Sequence, residues 1–180
     1  MSDFTYPFYQ SQVPDLFGDP TDPCFAGTYL RTMDFTDLLP NFAHVKDFEG
    51  NPWNGKIYGN GYMTAPLRAA LMAIIAAGLC AEWKTFDGCF NIRPMKGDAN
   101  QTSMHAWGLA IDINAATNPF SASGNLTTDL SDEFILCFAK NGLEWGGLWS
   151  QPKDPMHFQL PFIKDRTGPL APVPWGGSPA

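Results

Sequence analysis

The sequence predicts a small α+β domain in which an antiparallel sheet carries the functional residues and helices cover its other face. Two segments space their apolar residues as helices do, and three short segments read as strands. Long irregular connections lie between them, which favours segregated helices and strands over a regular βαβ repeat. With 180 residues, 44% of them hydrophobic and 14% aromatic, the chain has enough apolar material for one packed core and is cramped for two. The expected organisation is a single domain over residues 1–165, in which 1–60 form an extension wrapping a core at 61–165, followed by a flexible tail at 166–180.

Taken in order, residues 1–27 are rich in Pro, Asp and aromatic side chains and read as an irregular wrapping arm. Between Phe35 and Val45, the spacing of Phe35, Leu38, Leu39 and Phe42 suggests a short helix broken by Pro40. The clearest helix spans about 64–78. Thr64 can cap it, Pro66 suits its first turn, and Leu67, Leu71, Ile74 and Ile75 form one apolar stripe. Gly78 is its expected terminator. Strands are expected at 89–93, 109–114 and 156–160. A second helix follows Asp129, with Asp132 and Glu133 in its first turn, Leu130, Phe134 and Phe138 along its apolar stripe, and Gly142 at its end. The tail at 166–180 is dense in Pro and Gly and has little to bury.

Charge and cysteine usage narrow the function. Eleven basic against 18 acidic side chains give a formal charge of -7, which argues against nucleic acid or an anionic membrane surface as the main partner. The longest apolar run, from Ala69 to Ala81, falls short of the roughly 20 residues a bilayer crossing needs. The N-terminus lacks the basic and apolar regions of a signal peptide, so the expectation is synthesis in the cytoplasm. Cys24, Cys80, Cys89 and Cys137 contain no C-x-x-C pair, which disfavours a structural zinc knot and makes buried free thiols the default. A Cys80–Cys89 bridge has only proximity in its favour.

Only three histidines are present. His44 has no potential ligand at a recognisable spacing and reads as a surface or satisfied core residue. His105 stands seven residues before Asp112 in SMHAWGLAIDIN. On an uninterrupted strand that odd separation puts the two on opposite faces, but a turn or bulge at Gly108 can reset the register. Asp112 is flanked by Ile111 and Ile113, which point into the core while the carboxylate faces away from it. An acid in so apolar a setting needs a partner, either a metal ion or an Arg or Lys. His157 follows Asp154 by three residues in KDPMHFQL, where Pro155 implies a turn feeding a strand. On that strand His157 and Gln159 share one face. His105, Asp112 and His157 make up the ligand count of a catalytic zinc with a fourth position open, and Asp154 is then a free carboxylate beside it. Structural His and Asp residues remain the alternative on spacing alone.

The motifs go further. SMHAWGLAIDIN matches the S-x-H-x-x-G-x-A-x-D signature of the zinc D-alanyl-D-alanine carboxypeptidase and dipeptidase family, and DPMHFQL resembles that family's second block. GCFNIRPMKG is similar to the segment carrying its substrate-binding arginine, and EWGGLW to its lead-in to the second histidine. The resemblance runs in family order from about residue 62 to 160. It implies one zinc per chain held by His105, Asp112 and His157, with Asp154 as general base. Asp at that position, where many carboxypeptidases have Glu, is similar to the phage L-alanyl-D-glutamate endopeptidase endolysins of the same family. Arg93 would bind a substrate carboxylate or carbonyl and help stabilise the oxyanion, its alternative being a structural ion pair. Ser103 fits a substrate-contact or ligand-orienting position, or a local cap. Trp107, Trp145 and Trp149 can line a cleft or fill a core.

The resemblance thus implies a monomeric zinc peptidase acting on peptidoglycan stem peptides. It would be made in the cytoplasm and reach the cell wall through a separate membrane pore, as an endolysin does. The alternatives are a cytoplasmic D-alanyl-D-alanine dipeptidase and a non-catalytic zinc-bearing binding module of the same fold. A serine mechanism is disfavoured, since there is no G-x-S-x-G.

Overall fold

A computed structural model describes residues 8–163, so the expected tail at 166–180 lies outside the described residues. The chain begins with two one-turn helices, α1 (Val13–Phe17) and α2 (Phe25–Tyr29). The arm expected to be irregular is therefore partly helical. Phe8, Val13, Phe17 and Phe25 are buried in the same apolar cluster as the rest of the core. Burying side chains of that size is worth roughly 1.5–3 kcal/mol each, which keeps the arm on the surface of the sheet system. Phe17 meets Tyr29 and Tyr62 edge-on, at ring separations of 5.2 and 5.7 Å.

Strand β1 (Leu30–Asp34) pairs antiparallel with β3 (Lys56–Asn60), and β2 (Lys46–Asp47) lies between them in sequence. The segment expected as a broken helix at 35–45 forms only a single 3-10 turn, Leu39–Asn41. Pro40 sits inside that turn and cannot donate to a longer helix. Helix α3 (Thr64–Ala77) follows the expected stripe, with Leu67, Leu71 and Ile74 fully buried, and ends at Gly78 in the left-handed conformation. Thr64 is the first helical residue rather than its cap. Asn60 instead accepts from the Tyr62 amide and caps the preceding 3-10 turn. Helix α4 (Asp132–Ala139) is capped by Ser131, whose hydroxyl accepts from the Phe134 amide.

The site is built on a five-stranded sheet ordered β2-β4-β7-β9-β8, where β4 is Thr85–Gly88, β7 Ala110–Ile113, β8 Glu144–Trp145 and β9 His157–Gln159. Strands β5 (Pro94–Met95) and β6 (Asp98–Thr102) form a separate hairpin. Within the five-stranded sheet only β2 and β4 run parallel, so the expected antiparallel sheet has one parallel edge. Phe138 of α4 stacks on Phe158 of β9 with ring centroids 4.3 Å apart, which places a helix behind the central strands. Among the described residues no helix is long and apolar enough to cross a membrane.

The expected strand at 89–93 does not form. Its backbone groups turn to the His105 segment instead: the Asn91 amide donates to the His105 carbonyl, and the Arg93 carbonyl accepts from the Ser103 amide. The segment wraps the site as a loop because its polar groups are satisfied there and not in a ladder. All four cysteines are free, so Cys80 and Cys89 form no bridge.

Candidate metal and catalytic site

His105 lies on a short 3-10 turn, Met104–Trp107, that ends at Gly108 with φ +65°. A Cβ on Gly108 would come within 2.6 Å of the Asn60 amide nitrogen, so glycine is required for space as well as for conformation. This turn, in place of a continuous strand, breaks the alternation between His105 and Asp112. On β7, Ile111 and Ile113 are fully buried in the core, and Asp112 stands directly opposite His157 of β9 in the antiparallel register.

Three acceptor side chains therefore converge. His105 Nε2 lies 3.2 Å from Asp112 Oδ2, His157 Nδ1 lies 3.2 Å from Asp112 Oδ1, and the two nitrogens are 3.1 Å apart. The remaining nitrogen of each ring faces an oxygen that can only accept. His105 Nδ1–H donates to the Cys89 carbonyl at 2.6 Å, and His157 Nε2–H donates to Gln159 Oε1 at 2.9 Å. In the neutral rings the inward nitrogens then carry lone pairs, and two lone pairs beside a carboxylate suit a bound cation between them. Tetrahedral zinc with bonds of about 2.0–2.1 Å sets its ligand atoms about 3.3 Å apart, which fits this triad. The electrostatics run the same way. Burial opposes the charge on Asp112, but His105 and His157 outweigh it and hold the carboxyl well below the usual range. Burial also disfavours charge on His157, and the hydrogen bond and charge of Asp112 outweigh it, raising the imidazole above its ordinary value.

Residues 96–160 match the family model for D-alanyl-D-alanine carboxypeptidase. The match supports a hydrolytic peptidase of the zinc-dependent family and distinguishes no subfamily. It covers roughly a third of the chain, taking in Ser103, His105, Asp112, Asp154 and His157 but beginning three residues after Arg93. No curated protein and no solved structure matches the chain.

The peptidase-like segment places Asp154 beside the triad but outside it. The Asp154 amide donates to the Gly146 carbonyl, and the Asp154 carbonyl accepts from the His157 amide, closing the Pro155 turn. Gly146 is needed here, since a Cβ would approach the Asp154 carbonyl oxygen to 2.4 Å. The EWGGLW tract is thus a platform for the turn. Asp154 Oδ1 is buried with no hydrogen-bond partner. Burial raises its carboxyl above the ordinary value, and the neighbouring His157 only partly offsets this.

Asp154, His157, Arg93, Ser103 and Trp149 line one small cavity of about 30 Å³. It adjoins a groove of about 830 Å³ walled by the β5–β6 hairpin, and Gln10, Met95, Lys96, Met104, Phe120 and Pro152 line both. Ser103 is buried, and its hydroxyl accepts from the His105 amide at 3.4 Å, so it caps the turn that presents His105. Arg93 donates to the Pro94 carbonyl, and no carboxylate pairs with it among the described residues. Trp107 lines the groove, whereas Trp145 packs against Phe158 in the core. His44 is exposed and lies 3.0 Å from the carbonyls of Cys80 and Trp83, away from the triad.

Sequence reasoning missed the support behind His157. Gln159 Nε2 donates to Glu144 Oε2 at 3.1 Å, and Trp149 Nε1 donates to Glu144 Oε1 at 3.1 Å, all within the buried interior. The alternation on β9 already set Gln159 on the face of His157. Nothing in the sequence marked Glu144 as its partner. Gln10 carries no sequence signal either.

Proposed function

We propose that the chain is a zinc peptidase that hydrolyses a peptide bond in peptidoglycan stem peptides, with one zinc held by His105, Asp112 and His157. The observation that carries this reading is the pairing of a metal-compatible triad with a separate, half-buried carboxylate, Asp154, whose Oδ1 is buried without a hydrogen-bond partner among the described residues, in one cleft. A zinc ion bound there would supply a Lewis acid for the attacking water and the scissile carbonyl. Asp154 accepts the proton of the attacking water and passes it to the leaving amine as the C–N bond breaks. Its raised proton affinity suits it to hold that proton through the step. Arg93, with a guanidinium fork engaged among the described residues only by a neighbouring carbonyl, binds a substrate carboxylate or the developing oxyanion. The groove of about 830 Å³ is large enough for several residues of a peptide.

The Asp at position 154 is similar to the L-alanyl-D-glutamate endopeptidase endolysins, and a D-alanyl-D-alanine carboxypeptidase of the endolysin type is the second reading. The proposal includes action on the wall as a monomer after release through a separate pore. The deciding measurement is mass spectrometry of products from defined muropeptides incubated with the zinc-loaded protein. A new amine and carboxylate at one stem-peptide bond, lost on chelation and restored by zinc, is the expected result. Stoichiometric zinc with peptide binding and no cleavage would make the protein a binding module instead.

A further inference from the structure

Resting on that reading, we infer that Gln10 is a substrate-binding residue whose carboxamide oxygen accepts a hydrogen bond from a backbone N–H of the peptide in the cleft. Among the described residues two buried side-chain atoms have no hydrogen-bond partner, Asp154 Oδ1 and Gln10 Oε1. Both residues line the same small cavity beside His157, although 144 positions separate them in sequence. Orphaned buried acceptors are rare, and two on one cavity point to a ligand that supplies donors. The proton-transfer role uses the Asp154 oxygen. The Gln10 oxygen remains.

Its placement is held from both sides. The Gln10 amide donates to the Phe162 carbonyl at 2.7 Å, and the Phe162 amide donates to the Phe8 carbonyl at 2.9 Å, so the arm is stitched to the chain just beyond β9. Phe8 and Val13 on either side are buried in the core. The side-chain nitrogen approaches Met95 Sδ at 3.5 Å. A thioether can only accept, which turns the amide nitrogen toward the sulfur and the oxygen away from it. Gln10 also lines the large groove, so the residue borders both cavities. A neutral acceptor there suits an amide N–H and not a carboxylate, which leaves anionic groups of the peptide to Arg93. The arm lies outside the matched residues 96–160.

The test uses full-length zinc-loaded protein, the muropeptide it cleaves, and analogues of that peptide N-methylated at one amide at a time. Gln10→Ala is expected to lower kcat/KM on the parent peptide about 3- to 10-fold, chiefly through KM, with zinc content and melting temperature unchanged. Gln10→Glu, which keeps an acceptor oxygen, should recover most of the loss. One N-methylated analogue should be cleaved equally by wild type and Gln10→Ala, because methylation removes the donor that Gln10 meets. Equal kcat/KM of wild type and Gln10→Ala on the parent peptide overturns the inference and leaves the peptidase reading standing. So does a Gln10→Ala deficit that persists on every methylated analogue. A wild-type protein that cleaves no muropeptide overturns both.

Discussion

The floor of the cleft and its rim are built on opposite principles. On the floor, the outward nitrogens of His105 and His157 each have a partner, the Cys89 carbonyl and the Gln159–Glu144 pair. On the rim, among the described residues, Asp154 and Gln10 each keep a buried oxygen without a partner, and Arg93 is engaged only by the carbonyl next to it. Under the proposed function, the difference lets one site serve two purposes. Ligand atoms must be fixed before an ion arrives, so their orientation is secured by the protein. Groups that meet substrate must be desolvated yet unsatisfied, so that bond formation waits for the peptide. Changes to the floor should therefore act through metal, and changes to the rim through turnover at full metal.

The largest expected effect breaks the floor. His157→Ala removes one ligand atom and should abolish both stoichiometric zinc and hydrolysis, as measured by metal analysis beside the muropeptide assay. Full zinc occupancy in that variant would sink the ligand set. Next comes the rim: Asp154→Asn keeps the size of the side chain but cannot take a proton, so kcat should fall about 10²–10⁴-fold with zinc retained. Loss of zinc there would move Asp154 to the floor and erase the distinction.

A smaller effect is expected behind the floor. Gln159→Leu removes the acceptor that fixes the His157 ring, and zinc affinity should weaken about 10- to 100-fold in competition with a chelator. Unchanged affinity would mean the strand alone orients the imidazole. The smallest effect sharpens the rim. Burial raises the Asp154 carboxyl above its ordinary 3.8, so the folded state binds that proton more tightly than the unfolded chain does. Its contribution to stability is then full below the ordinary value and lost as pH rises through the raised one. Urea titration of chelator-treated protein should show wild type losing stability relative to Asp154→Asn across that window. A constant difference between the two would show a carboxyl that titrates normally.

Much of the local structure was legible in the sequence because short-range forces decide it. The stripe at Leu67, Leu71 and Ile74 and the acidic first turn at Asp132 and Glu133 reappear in α3 and α4. The isoleucines flanking Asp112 announced which way β7 faces, and Gly108 announced the break before it. The loop at 89–93 has apolar residues that suit a strand. Its backbone bonds, however, go to the His105 turn, a partner that local composition does not reveal. The arm looked irregular for its prolines, yet its phenylalanines had a core to enter.

By itself the sequence determined which residues can hold a metal and take a proton, since the donor chemistry of His and Asp belongs to the side chains. It also determined the alternation of β9 that puts His157 and Gln159 on one face. Only the tertiary structure decided that Asp112 stands opposite His157 across 45 positions of chain, that Glu144 backs Gln159, and that Gln10 reaches the same cavity as Asp154. Strand register and the docking of an arm depend on how the whole core packs, and no local spacing encodes that sum.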